Sequence, residues 1–215
     1  MSRINQTSIR SFKKLIKEVL LATSNLHKVQ EIKSIFEELN LELKLITLNQ
    51  IENPPEVIED GATFTENALK KARELCEFSG TVTIADDSGL TVAALEGAPG
   101  VLSARWAGSH GDDVANLQLV LEQMKEVEAN LRQASFICAA AVAFPDGREL
   151  AVLGEIKGSL TDEPRGENGF GYDPIFIPEG FDITTAQMDL AQKNKISHRG
   201  IAFRKLAVLL RDFLN

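Results

Sequence analysis

The chain has no apolar run long enough to span a bilayer. Its longest apolar stretches are broken by charge or glycine within a few residues, whereas a transmembrane helix needs about 20. A soluble protein with no membrane partner is therefore expected. Basic residues are not in excess either. A formal charge of −8 and an isoelectric point near 5.0 exclude a bulk grip on nucleic acid, which depends on clustered Lys and Arg against phosphates. A small anionic ligand would need a local basic pocket instead. Cysteine is scarce: Cys76 and Cys138 are the only two, with neither metal-ligand spacing nor a Cys/His cluster around them. They read as packed apolar residues of a protein in a reduced, cytoplasmic setting. The glycine-rich loop ending in Gly-Lys-Ser/Thr is missing, which excludes a Walker-type nucleotide site. No internal repeat or low-complexity tract occurs.

What is present suffices for one substantial core: 215 residues, 44% of them hydrophobic, fit a single domain with room for two lobes. Residues 1–17 contain no acid, and Ile9, Phe12, Leu15 and Ile16 fall on one helical face. They read as a leader ahead of a domain spanning 18–215. Strand and helix patterns then alternate. Val19–Thr23 reads as a strand, and behind Asn25 the residues Ile32, Ile35, Phe36 and Leu39 recur at helical spacing. A strand at Leu43–Leu48 leads through a Pro/acid-rich loop to a helix over Phe64–Phe78, where Thr63 and Glu66 have capping-box spacing and Ala68, Ala72, Leu75 and Cys76 form a buried stripe. An apolar strand ends in Asp86-Asp87. A helix over Asp113–Val127 carries Val114, Leu117, Leu121 and Met124. Ser135–Phe144 and Glu149–Ile156, joined by Pro145-Asp146-Gly147, read as a long hairpin, and a last helix over Arg199–Phe213 buries Ala202, Leu206, Leu209, Leu210 and Phe213. This order predicts an α/β fold with a mixed sheet.

Four segments carry candidate chemistry. Thr23-Ser24-Asn25-Leu26-His27-Lys28 sits at a strand-to-helix junction, where free backbone N–H groups and the helix dipole favour an anion; an ordinary Asn cap with an exposed Lys fits the same residues. Glu59 precedes a helix on which Asn67 and Lys71 share a face, so an amide and a lysine can approach one ligand beside a loop carboxylate, or the helix is simply a charged surface helix. Within Ala85-Asp86-Asp87-Ser88-Gly89-Leu90, adjacent acids fit a metal site or a turn. Their side chains should point apart along a strand, leaving one to face a given ligand. In Gly166-Glu167-Asn168-Gly169-Phe170-Gly171-Tyr172-Asp173-Pro174, glycines around two aromatics allow a flat group to stack, with a carboxylate to read its edge; a tight loop with a core Phe is the alternative. A further basic run, Lys193-Asn194-Lys195-Ile196-Ser197-His198-Arg199-Gly200, places cations at a helix N-terminus against the dipole. That placement favours an anionic or carbonyl-rich ligand over a solvated first turn.

In their order and spacing these segments, together with Gly97-Ala98-Pro99-Gly100-Val101 and Ser103-Ala104-Arg105, resemble the inosine triphosphatase family from about Leu20 to the C-terminus. The resemblance implies an elongated, two-lobed mixed β-sheet with flanking helices, the ITPase-like (Maf/Ham-type) fold. It also implies a Mg²⁺-dependent homodimer that hydrolyses ITP, dITP and XTP to the monophosphate and pyrophosphate. Carried over by position, it makes Thr23, Ser24, Asn25, Lys28 and Lys71 the triphosphate-binding residues. Glu59, Asp87 and Asp86 become the metal acids, Asp87 the catalytic carboxylate and Ser88 a substrate contact. Phe170, Gly171, Tyr172, Asp173, Lys193, His198 and Arg199 become the purine site. A Maf-like pyrophosphatase acting on other nucleotides and a binding protein without turnover are the alternatives.

Overall fold

The structure is a computed structural model that describes residues 18–214; the helical face read in residues 1–17 lies outside the described residues. In chain order the elements are β1 (Glu18–Leu21), α1 (Leu26–Glu38), β2 (Lys44–Thr47), α2 (Phe64–Ser79), β3 (Thr83–Val92), α3 (Asp113–Gln123), β4 (Gln133–Ala143), β5 (Glu149–Leu160), β6 (Phe176–Pro178), α4 (Leu190–Ile196) and α5 (His198–Leu214). They build one six-stranded mixed sheet in the order β2-β1-β3-β4-β5-β6. β1 runs parallel to β2 and β3, and the remaining pairs are antiparallel.

The two lobes follow from strand length. β1 reaches only the start of β3, pairing Leu20 with Thr83 and Leu21 with Ile84. Residues 85–92 of β3 continue beyond it, paired with β4 along the opposite edge and met on the β1 side only by the short Thr91–Pro99 bridge. The first lobe is a sheet covered on both faces. α1 and α5 bury Val29, Ile32, Ile35, Phe36, Ala202, Phe203 and Leu206 against one side, and α2 buries Ala68, Ala72, Leu75 and Cys76 against the other. Ala139, Ala141 and Ala143 of β4 face α2's own alanines; small residues on both sides allow helix and sheet to pack closely. The second lobe surrounds the far ends of β3, β4 and β5, where Leu117, Val120 and Met124 meet Phe136, Leu160 and Phe176.

Glycine matters most where α5 meets the hairpin. A Cβ on Gly154 of β5 would lie 2.1 Å from the His198 carbonyl oxygen and 2.5 Å from the Ala202 nitrogen, so the missing side chain seats the first turn of α5 on the sheet.

Several expectations are corrected. The Asp pair lies in the middle of β3 rather than at a strand end, because antiparallel pairing with β4 carries the strand onward. Helix α3 stops at Gln123, and Val114 is 66% exposed. Leu209 is 36% exposed, on the solvent side of α5, while the side chain of Phe213 lies beyond those described. At the start of α2, Thr63 accepts from the Glu66 N–H as expected, but the Glu66 carboxylate accepts from the Ala62 N–H instead of that of Thr63. The short α4 and β6 were not anticipated; at 7 and 3 residues they offer too little periodicity to register.

Candidate active site

The segment between β1 and α1 caps its own helix. Asn25 Oδ1 accepts from the backbone N–H groups of His27 (3.0 Å) and Lys28 (3.2 Å), and Thr23 Oγ1 accepts from the Asn25 N–H (3.2 Å). The first turn of α1 is thereby held at the rim of a cleft that Thr23, Ser24, Asn25 and Lys28 line.

Alternation along β3 separates the two aspartates. Asp87 faces α2, where its Oδ2 accepts from Asn67 Nδ2 at 2.9 Å, and it lines the cleft with Glu59 and Lys71. Lys71 pairs with the Glu59 carboxylate and donates to the Asp86 carbonyl at 3.0 Å. Burial raises the Asp87 carboxyl above its ordinary value, and the nearby charge of Glu59 raises it further, against the opposing hydrogen bond from Asn67. Two acids that resist sharing their negative charge form a place for a cation. Burial would lower Lys71, but Glu59 and Asp86 outweigh it and raise the group, keeping the ammonium charged.

Asp86 points to the opposite face and does not line the cleft. Its Oδ2 meets Lys28 Nζ at 3.0 Å and Arg199 Nη2 at 3.2 Å. Burial alone would raise its carboxyl, yet Lys28, Arg199 and Lys71 overcome this and hold it far below the usual carboxylate range. The structure therefore does not bring Asp86 to the Glu59–Asp87 pair where a shared metal would sit. Asp86 instead anchors two of the cations.

A buried ladder of alternating charge continues from there. Arg199 Nη1 donates to Glu31 Oε2 at 2.5 Å and its Nη2 to Ser88 Oγ at 2.7 Å. Lys193 Nζ bonds Glu31 Oε1 at 2.8 Å and Asp173 Oδ2 at 2.5 Å. Glu31 is 3% exposed, and Arg199 and Lys193 hold its carboxyl below the ordinary value despite burial, which pushes the other way. No motif singles Glu31 out. Its signal is position: it falls one turn after Lys28 and beside Ile32, an acid inside the apolar stripe of α1.

The aromatic loop is braced rather than free. Asp173 accepts from the Phe170 N–H (2.9 Å) and Thr185 Oγ1 (2.8 Å) in addition to Lys193, so both of its oxygens are engaged and it positions the loop. The Tyr172 hydroxyl donates to the Ser103 carbonyl at 2.8 Å, and the Gly171 N–H donates to Asp113 at 2.9 Å. The Phe170 ring lies 5.0 Å from Lys193 Nζ and 5.6 Å from the Arg199 guanidinium carbon. Exposed His27 stacks on that ring at 5.4 Å, a contact its sequence position did not reveal. His198 stacks on Phe136 at 4.8 Å, and its Nδ1 is buried without a partner. Burial, then the charges of Arg199 and Lys193, lowers its pKa well below the ordinary value, so the ring is neutral.

The cleft has a volume of about 800 Å³. Lys28, Glu59, Lys71 and Asp87 occupy one part of it, and Phe170, Lys193, His198 and Arg199 another. A charged section continuous with an aromatic one is the plan of a site that takes a phosphorylated nucleoside, and with the two-lobed mixed sheet it defines a nucleotide-handling enzyme.

The chain belongs to the Ham1 family, whose sequence model matches residues 19–209. It is 49% identical over 196 residues to a dITP/XTP pyrophosphatase of Streptomyces coelicolor, covering 91% of this chain and 98% of that protein. Among solved structures it is similar to a HAM1 protein from Coxiella burnetii, with a TM-score of 0.81, 41% identity and coverage of 91% of this chain and 98% of that one. It is also similar to a nucleoside-triphosphatase, or dITP/XTP pyrophosphatase, from Mycobacterium abscessus, with a TM-score of 0.72, 44% identity and coverage of 89% and 97%. The resemblance read from the sequence motifs and the fold it implied are both borne out.

Proposed function

We propose that this protein hydrolyses the noncanonical purine nucleoside triphosphates ITP, dITP and XTP to the monophosphate and pyrophosphate, clearing them from the nucleotide pool. The observation that carries this reading is the continuity of the cleft, with lysines and opposed acids in one part and a ring and buried donors in the other.

The residues fit Mg²⁺. Among the described residues no group of three or more His, Cys, Asp or Glu could enclose a metal. Glu59 and Asp87 nonetheless offer two hard oxygen donors whose mutual repulsion a cation relieves. One or two carboxylates, completed by water and phosphate oxygens, suit Mg²⁺. Held by Glu59 and Asp87, the ion would neutralise phosphate charge and favour attack by water. Asp87 orients the water and takes its proton, a contribution worth roughly 10²- to 10⁴-fold. Lys28 and Lys71 offset the phosphate charge, Lys71 exchanging its contact with Glu59 for the ligand. Thr23, Ser24 and Asn25 present the helix N-terminus to the phosphates.

Phe170 stacks on the purine, and Lys193, Arg199, His198 and Ser88 surround its edge. Hypoxanthine and xanthine carry a carbonyl at C6 where adenine carries an amino group. Buried donors therefore accept the former and leave the latter unpaired, at a cost of about 1–3 kcal/mol. Tyr172, Gly171 and Asp173 act by holding the loop, and Asp86 by holding Lys28 and Arg199. The domain is assigned to 18–215 behind a leader at 1–17. No described helix is long and apolar enough to cross a membrane, and both free cysteines are buried. We place the enzyme in the cytoplasm as a homodimer that does not bind nucleic acid.

The test is pyrophosphate release from ITP, XTP, GTP, ATP and dTTP with Mg²⁺ and with EDTA. Rapid, EDTA-sensitive release confined largely to ITP and XTP is expected. Release mainly from dTTP would move the protein to the Maf-like reading, and no release at all would leave a binding protein.

A further inference from the structure

Five Lys or Arg side chains line the cleft: Lys28, Lys71, Arg105, Lys193 and Arg199. Four already have carboxylate partners inside the protein. Lys28 pairs with Asp86, Lys71 with Glu59, Lys193 with Glu31 and Asp173, and Arg199 with Glu31 and Asp86. Of these five, Arg105 alone has no ion pair among the described residues. Among the described residues its guanidinium makes one hydrogen bond, from Nη2 to the backbone carbonyl of Glu59 at 3.2 Å, which leaves most of the five guanidinium N–H donors available.

The segment that carries Arg105 is rigidly held. Ser103 Oγ accepts from the Leu90 N–H at 2.9 Å and donates to the Gly100 carbonyl at 2.6 Å. The Ala104 carbonyl accepts from the Gly111 N–H at 2.8 Å and from Asn116 Nδ2 at 3.2 Å, and Asn116 Oδ1 takes the Ala107 N–H at 2.7 Å. The side chain thus projects from a fixed turn on the second lobe toward the loop that bears Glu59. A half-buried, unneutralised guanidinium in an acidic protein is an unmatched half of a charge pair, and a planar fork of donors suits two phosphate oxygens at once.

We propose that Arg105 binds the terminal phosphates of the substrate and stabilises the departing pyrophosphate. This assignment rests on the reaction proposed above. Water adds to the α phosphorus and gives its proton to Asp87, while the bond from that phosphorus to the oxygen bridging it to the β phosphorus breaks. The electron pair stays on the pyrophosphate, where Arg105 donates to the new charge. The other cleft cations must leave or share a carboxylate to reach the ligand, and Arg105 does not.

The experiment is calorimetric titration of the full chain with pyrophosphate alone and with IMP alone, both in EDTA so that Glu59 has no role as a metal ligand. It compares wild type, Arg105→Ala and Arg105→Lys. Loss of a charge-assisted contact predicts pyrophosphate binding weakened at least about tenfold in Arg105→Ala. IMP binding should stay within about twofold, with partial recovery in Arg105→Lys, which keeps the charge but not the fork. Pyrophosphate affinity within about twofold of wild type in Arg105→Ala would overturn the proposal and leave Arg105 as a clasp on the Glu59 loop. Equal weakening of IMP and pyrophosphate would overturn it as well, since that is the mark of a collapsed loop. Pyrophosphate binding that depends on Arg105 in a protein that does not hydrolyse ITP would instead sink the proposed function and spare the phosphate site.

Discussion

Glu31→Gln tests whether the buried ladder is what holds the cations beside Phe170 in place. The substitution keeps the side-chain volume but removes the charge that Lys193 and Arg199 share, and it turns an amide NH₂ toward one of two cationic donors. Both cations keep a second carboxylate, Asp173 and Asp86 respectively, so the fold should survive. Breaking one partner out of a buried ionic cluster costs about 3–5 kcal/mol. In a chain of this size each kcal/mol shifts Tm by about 2–4 °C, for a loss of about 6–20 °C. The sign with pH is fixed by the depressed Glu31 carboxyl. Its stabilisation is fully present above the ordinary carboxyl value of 4.5 and is lost as pH falls through the lower value it has when folded. The Tm gap between wild type and Glu31→Gln should therefore be constant through neutral pH and narrow in acid. With the cations displaced, KM for ITP should rise about tenfold while kcat changes less, because the reacting acids lie in another part of the cleft. Circular-dichroism melting across pH together with steady-state kinetics reads both effects. A variant melting within about 2 °C of wild type at neutral pH, or a gap that persists unchanged into strong acid, would refute the reasoning.

Asp87→Asn should lower kcat by roughly 10²- to 10⁴-fold while the protein still folds and binds ITP; wild-type turnover would remove Asp87 as the base. Because burial and Glu59 raise the Asp87 carboxyl in the metal-free protein, Mg²⁺ binding should weaken as pH falls toward the carboxylate range, since the ligand must be deprotonated, and metal titration at several pH values checks it. Gly154→Ala should destabilise the protein and raise KM, since the new Cβ would press on the first turn of α5 at the His198 carbonyl; melting and kinetics would both have to be unchanged to contradict this. His198→Ala should raise KM for ITP with kcat largely kept, because His198 Nδ1 is a buried polar atom without a protein partner, and an unchanged KM would take it out of base recognition.

The alternation of apolar patterns marked the strands and helices of the first lobe to within a few residues, because each is long enough for its period to show. The ends of β3 and α3 were misjudged, since a strand stops where its partner does and a helix where its cover does. Phe170 was legible from residue type and local spacing as a stacking ring, and Lys193, His198 and Arg199 as a local basic run; a purine as their ligand came only from the family resemblance. Glu31 and His27 were not legible, because the contacts that give them a role come from residues more than a hundred positions away.

The sequence by itself determined which groups could do chemistry, and through the resemblance of its motifs it determined the family. Strand alternation determined that Asp86 and Asp87 must diverge. Only the tertiary structure decided which of the two faces the cleft, because that depends on which helix packs on which side of β3. Tertiary structure also decided that Asp173 is a brace and that Asp86 anchors cations. It left Arg105 the lining cation without a carboxylate among the described residues. Pairing between charges depends on distances that long-range packing sets, and no local pattern encodes them.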